Sequence, residues 1–105
     1  MRTFLILLLF ALKVGASSVT LAWDASPDAT VTGYRIYFGP ASGVYTNTVT
    51  VGNTLVATIT GLSTSSTYFF AATAYTEDGV ESVFSNEVSY TVPVPVVRPQ
   101  PPSDL

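Results

Sequence analysis

The sequence predicts an all-β fold, a β-sandwich of two antiparallel sheets. Three observations predict it. Between Ser17 and Val92, apolar and polar residues alternate with a period of two in short runs. Turn residues interrupt these runs about every 8 to 12 positions, the spacing of sandwich strands. No segment places apolar residues at helical spacing.

The strands follow in order. Val19, Leu21 and Trp23 alternate with Thr20 and Ala22. Tyr34, Ile36 and Phe38 alternate with Arg35 and Tyr37. A weaker strand covers Tyr45 to Val51. Leu55, Ala57 and Ile59 alternate with Val56, Thr58 and Thr60. Tyr68, Phe70, Ala72 and Ala74 alternate with Phe69, Ala71, Thr73 and Tyr75. Val88, Tyr90 and Val92 alternate with Ser89 and Thr91. Successive side chains of a strand point to opposite faces, so the first-named set of each run is expected in the core. Pro27-Asp28, Gly39-Pro40, Ser42-Gly43, Gly52-Asn53, Ser63 to Ser66 and Asp78-Gly79 supply turns between them.

The ends differ from this middle. Arg2, the apolar run from Phe4 to Leu12 and the small residues Val14-Gly15-Ala16 have the layout of a secretory signal, residues 1–16, cut after Ala16. The run is too short for a helical membrane span, which takes about 20 residues. An extracellular or periplasmic location is therefore expected, with no membrane span after cleavage. The domain proper covers residues 17–92. Residues 93–105 hold five prolines, which cannot sustain a strand ladder and predict an extended tail or linker.

Composition excludes several chemistries. The chain has no Cys and no His, so disulfides, thiol or imidazole catalysis and the usual zinc sites are absent. Of its four basic residues, Arg2 and Lys13 lie in the leader, leaving Arg35 and Arg98 against seven acidic residues. Nucleic-acid binding needs a basic footprint that this domain lacks. No nucleophile has a tuned base beside it, and no phosphate-binding loop is present. The expectation is a protein that is not an enzyme and holds no cofactor or metal.

Several segments together resemble the fibronectin type III family. Ser-Val-Thr-Leu-Ala-Trp at 18–23, Gly-Tyr-Arg-Ile-Tyr-Phe at 33–38, Thr-Gly-Leu at 60–62 followed by Tyr68, and Ser-Asn-Glu-Val at 85–88 are similar to its strands B, C, E–F and G. The resemblance implies an immunoglobulin-like sandwich with Trp23, Tyr34 and Ile36 in the core. It also implies a tyrosine corner, in which Leu62 is buried and the Tyr68 hydroxyl returns to the backbone of the preceding turn. One departure stands out. The family has a strand A beside strand B, and cleavage after Ala16 leaves only Ser17 and Ser18 to serve. Strand B is then expected to be an open edge, available to a partner's strand.

Two candidate surfaces follow. The family's topology gathers Asp24, Asp28, Glu77, Asp78 and Glu81 at one pole, where they suit weak calcium binding, a basic partner or simple turn capping. Strand phase turns Arg35, Tyr37, Phe69 and Tyr75 outward on one sheet, a candidate contact face. The function expected is a non-catalytic protein-interaction or adhesion module, with a protein partner or, alternatively, a carbohydrate ligand. The alternative is a structural spacer, a surface-assembly subunit completed by a partner strand, or a fragment of a larger multidomain surface protein.

Overall fold

A computed structural model describes residues 8–10, 17–94 and 98–103. They form seven strands: β1 (Leu8–Phe10), β2 (Val19–Ala22), β3 (Val31–Gly39), β4 (Asn47–Gly52), β5 (Val56–Ile59), β6 (Thr67–Thr76) and β7 (Val88–Thr91). One sheet has the order β1-β2-β5 and the other β4-β3-β6-β7, and every pairing is antiparallel. The all-β sandwich expected from the alternation is the fold observed.

The core lies between the two inner faces. Val19, Leu21 and Trp23 meet Tyr34, Ile36 and Phe38 across the sandwich, with Ile59, Leu62, Phe70, Ala72, Ala74 and Val92 completing the cluster. Tyr68 is half-buried against its margin. Phe38 stacks on Phe70 with ring centroids 5.4 Å apart, and Trp23 tilts against Tyr34 at 5.7 Å. The Trp23 indole nitrogen is buried without a hydrogen-bond partner, so this residue contributes through packing.

The turn before β6 is built around the tyrosine corner. Gly61 takes a positive φ of 76°, and Leu62 follows it into the core. The Ser63 amide then donates to the Tyr68 hydroxyl at 2.9 Å.

Two observations bear on the expectations. First, in the uncut chain β2 is not an edge: Leu8, Leu9 and Phe10 pair with Ala22, Leu21 and Thr20, whereas the open edge is expected of a chain cut after Ala16. These three residues lie within the stretch read as a leader. Its remainder, including the cleavage motif Val14-Gly15-Ala16, lies outside the described residues. Second, Leu55 is 43% exposed instead of buried. It stands ahead of β5, whose outer edge pairs with no strand among the described residues, so the inner face is uncovered there. Beyond β7 the chain returns to the corner through Val92, which is fully buried and exchanges hydrogen bonds with Ser65 and Ser66. Residues 98–103 form no regular structure and are exposed.

Candidate functional site

The outer face of the four-stranded sheet brings together most of the chain's exposed chemistry. Strand alternation sets it up: Arg35 and Tyr37 of β3 lie between Thr50 and Thr48 of β4 and Thr73 and Ala71 of β6. What completes the face is the segment after β6. Its path is set by two serines. The Ser82 amide donates to the Ala74 carbonyl at 2.8 Å, and the Ser82 hydroxyl accepts the Ala74 amide at 3.0 Å. Ser85 does the same with Ala72, at 2.8 and 2.9 Å. Val88 then enters the regular ladder opposite Phe70. Three residues thus advance on the loop side for every two on β6, an expanded bulge whose ladder is closed by side chains. The residues preceding the two serines, Glu81 and Phe84, lie over the outer face. Glu81 bonds Thr73, and both Ala71 and Thr73, which strand phase alone had placed at the surface, are buried.

Glu81 is the hub. Its Oε1 accepts the Tyr37 hydroxyl at 2.6 Å and the Thr73 hydroxyl at 2.8 Å, and its Oε2 pairs with Arg35 Nη1 at 2.7 Å. Burial favours the neutral acid, but these hydroxyls and the guanidinium outweigh it and hold the carboxyl below its usual range. The Tyr37 phenol moves the other way, raised by burial and then by the carboxylate it serves. Arg35 is fixed on two further sides. Its Nε donates to Thr50 Oγ1 at 3.2 Å, and the guanidinium lies 4.7 Å above the Tyr75 ring. Tyr75 can lie flat there because its β3 neighbour is Gly33; a Cβ at that position would fall 2.3 Å from the Tyr75 hydroxyl.

A second carboxylate organises the other end of the face. Glu87 accepts hydrogen bonds from the hydroxyls of Tyr45 and Ser42 and from the Gly43 amide, clipping the β3–β4 turn to the start of β7. The Tyr45 and Ser42 hydroxyls lower the pKa of Glu87, while burial and Glu87 push Tyr45 up to about 12. Between the hubs, the Phe84 ring meets Tyr37 edge-on at 5.0 Å and Tyr45 at 5.2 Å. Phe84 remains 47% exposed, so the cluster presents an aromatic surface between two ionised carboxylates.

Of the expected contact residues, Arg35, Tyr37 and Tyr75 therefore meet in one network. Phe69 shares their face further along, opposite Gly39 and Ser89, and joins none of these contacts. Tyr45, Phe84, Glu87, Thr50 and Thr73 were not picked out from the sequence as members of this face. Thr50 and Thr73 follow from the pairing register beside Arg35, whereas the place of Phe84 over the face depends on the three-for-two bulge, which alternation does not encode.

The carboxylates of the acidic pole have separate roles. Glu81 lines a cleft there beside Asp28 while pairing with Arg35. Asp28 caps its own turn, accepting from the Thr30 amide at 3.0 Å and the Thr30 hydroxyl at 2.7 Å. Asp24, Glu77 and Asp78 are exposed. Among the described residues, no three acidic side chains lie close enough to hold a metal ion. A shallow cleft of about 230 Å³ separates the loops there, lined in part by Ser26, Asp28, Val80 and Ser82.

Comparison with known proteins agrees with this architecture. The family model described as "Fibronectin type III domain" matches residues 8–91. The chain is 39% identical over 84 residues to Chitinase A1 of Niallia circulans, covering 79% of this chain and 11% of the relative. It is 34% identical over 90 residues to the Kelch domain-containing protein SSO1033 of Saccharolobus solfataricus, covering 86% of this chain and again 11% of the relative. The chain thus spans about a ninth of either relative's length. Among solved structures, the sixth fibronectin type III domain of human fibronectin type III domain containing protein 3 superposes with a TM-score of 0.69 at 23% identity, covering 96% of this chain and 92% of that one. At that identity the likeness speaks for the fold alone.

Proposed function

The chain belongs to the fibronectin type III domain family, and from that premise we propose that it is an exported, non-catalytic interaction module. It contacts a protein partner through the outer face of its four-stranded sheet. The observation that supports this reading is the Phe84 cluster. A half-exposed aromatic ring is braced edge-on by two tyrosines, whose hydroxyls are tied to carboxylates. Aromatic side chains fixed in this way lose little entropy on binding, which is the character of an interface anchor. The ionised Glu81 and Glu87 beside it favour a partner with basic groups at the rim. The family match supports an accessory role, since both curated relatives are about nine times longer than the matched segment. Export rests on the charged start, apolar run and small residues of the first sixteen positions.

A carbohydrate ligand is the second reading, favoured by the exposed Phe84 ring and by the resemblance to a protein named as a chitinase. One experiment separates the two. The domain and its Phe84→Ser variant are used as bait against the exported protein fraction and, in parallel, mixed with insoluble chitin. The proposal expects a protein retained by the wild type and lost with Phe84→Ser, and no depletion by chitin. Depletion by chitin that Phe84→Ser abolishes establishes the carbohydrate reading. Equal behaviour of both baits leaves the domain a spacer.

A further inference from the structure

The outer edge of β4 is unguarded. Natural edge strands are usually protected by charges, prolines, bulges or brevity. β4 runs six residues, Asn47 to Gly52, has neither charge nor proline, and is the terminal strand of its sheet. Its one irregularity, between Tyr34 and Arg35 of β3, falls at its Gly52 end. From Ile36 to Thr76 the chain contains no charged residue at all. Among the described residues, no segment pairs with this edge. Val49 opposes the buried Ile36, so it faces the core side, yet it is 36% exposed because the opposite sheet does not reach over it.

We infer that this edge pairs with the same edge of a second copy, β4 against β4 antiparallel, joining two four-stranded sheets into one of eight strands. Three features select a second copy as the occupant. The first is self-complementarity. A two-fold axis through Val49 sets Val49 against Val49 and Thr48 against Thr50, so core-side residues meet core-side residues and threonines meet threonines. A shift of one residue would put the two inner faces on opposite sides of the joined sheet. The second is precedent within the molecule. Thr20–Thr58 at 3.0 Å and Thr67–Thr91 at 2.7 Å already link neighbouring strands through their hydroxyls. The third is charge. The chain is acidic, with a formal net charge of −3. Antiparallel pairing brings together the neutral edges and sends the two poles holding Asp24, Asp28, Glu77 and Asp78 to opposite ends of the dimer. A basic partner has nothing to pair with at this edge.

One six-residue strand pairing buries less than the roughly 1,200 Å² of a stable interface. The dimer is therefore weak, with a dissociation constant expected in the range of about 10 μM to 1 mM. Its effect is to place two Arg35–Tyr37–Phe84 faces side by side on one continuous sheet, although the pairing does not depend on what those faces bind.

The test is sedimentation equilibrium of the full chain up to about 1 mM, with amide exchange at low and high concentration. Expected are a monomer–dimer equilibrium and protection that rises with concentration in Asn47–Gly52. Val49→Lys should weaken the dimer about tenfold or more by adding an edge guard. Thr48→Glu, on the outer side of the strand, should do the same by setting a carboxylate opposite Thr50 and diagonal to that of the other copy; it remains informative should Val49→Lys fail to fold. A monomer throughout the concentration range overturns the inference. So does a dimer whose new protection lies in β1, β2 or β5, or one that both variants leave intact.

Discussion

Glu81 Oε2 lies 2.7 Å from Arg35 Nη1, an ion pair that fastens the loop after β6 to the central strand β3. About a third of each side chain is exposed, so the charge pair alone is worth about 0.2–1 kcal/mol. The carboxylate also satisfies the Tyr37 and Thr73 hydroxyls. Glu81→Gln should therefore cost about 1 kcal/mol, and Glu81→Ala about 2, since it strips the acceptor from buried Thr73 as well. Urea denaturation of both variants is the measurement. Equal losses would show that the hydroxyl contacts contribute nothing.

Stability should depend on pH at both extremes. Glu81 and Glu87 have folded pKa values below the ordinary 4.5, so their contribution is present above that value. It is lost as pH falls through the lower folded values. Tyr45 has the opposite sign: its pKa rises from 10.0 to about 12, so its contribution is complete below pH 10 and disappears as pH approaches 12. Thermal melts across pH should show a plateau between these limits. Tyr45→Phe should flatten the alkaline limb and leave the acid limb due to Glu81 in place.

Two glycines of β3 should respond differently to alanine. At Gly33 the new methyl meets the far end of the Tyr75 side chain, which can swing away. The cost should be about 1 kcal/mol, with loss of the Arg35–Tyr75 stacking visible as a change in tyrosine fluorescence. At Gly39 a Cβ would fall 1.9 Å from the Val44 backbone carbonyl, which cannot move without opening the β3–β4 turn. Gly39→Ala should cost about 3 kcal/mol or more. A reversed order would contradict the close approach at Val44.

Trp23→Ala should unfold the domain or come close, because truncating a buried tryptophan costs about 3–5 kcal/mol. Tyr68→Phe should cost only about 1 kcal/mol. It removes the acceptor for the Ser63 amide but keeps the ring against Phe38 and Phe70, and Ser63 is exposed to water. Chemical denaturation tests both. A Tyr68→Phe loss as large as that of Trp23→Ala would place the corner's contribution in the bond and not the ring.

Exported protein should have a mass beginning at Ser17. Such a chain lacks Leu8–Phe10, so the β2 amides that face β1, those of Thr20 and Ala22, should exchange faster than in the uncut chain, while Val19 and Leu21, whose amides face β5, stay protected. A mature mass retaining Met1 would instead assign the apolar segment to the sheet.

Alternation made six of the seven strands legible, because a period of two fixes which residues face the core. It did not reveal β1, whose apolar residues do not alternate and read as a targeting segment. Nor did it expose Leu55, because edge effects depend on what the other sheet covers. The contact face was partly legible: Arg35, Tyr37 and Tyr75 follow from strand phase. Glu81 was assigned by topology to the pole, where it does line the cleft beside Asp28; its pairing with Arg35 was not legible, since it depends on the Ser82–Ser85 ladder.

That ladder separates support from display. Ser82 and Ser85 hold the segment to β6 with their own amides and hydroxyls, while Glu81, Val83 and Phe84 make no ladder bonds with Ala72 or Ala74. The backbone path is thus secured largely by residues other than the exposed Val83 and Phe84. Glu81 adds its own tie to β3, so positions 83 and 84 are the ones free to vary. Their identities can be rewritten, by selection or by design, to retarget the surface, provided that the two serines keep their three-residue spacing.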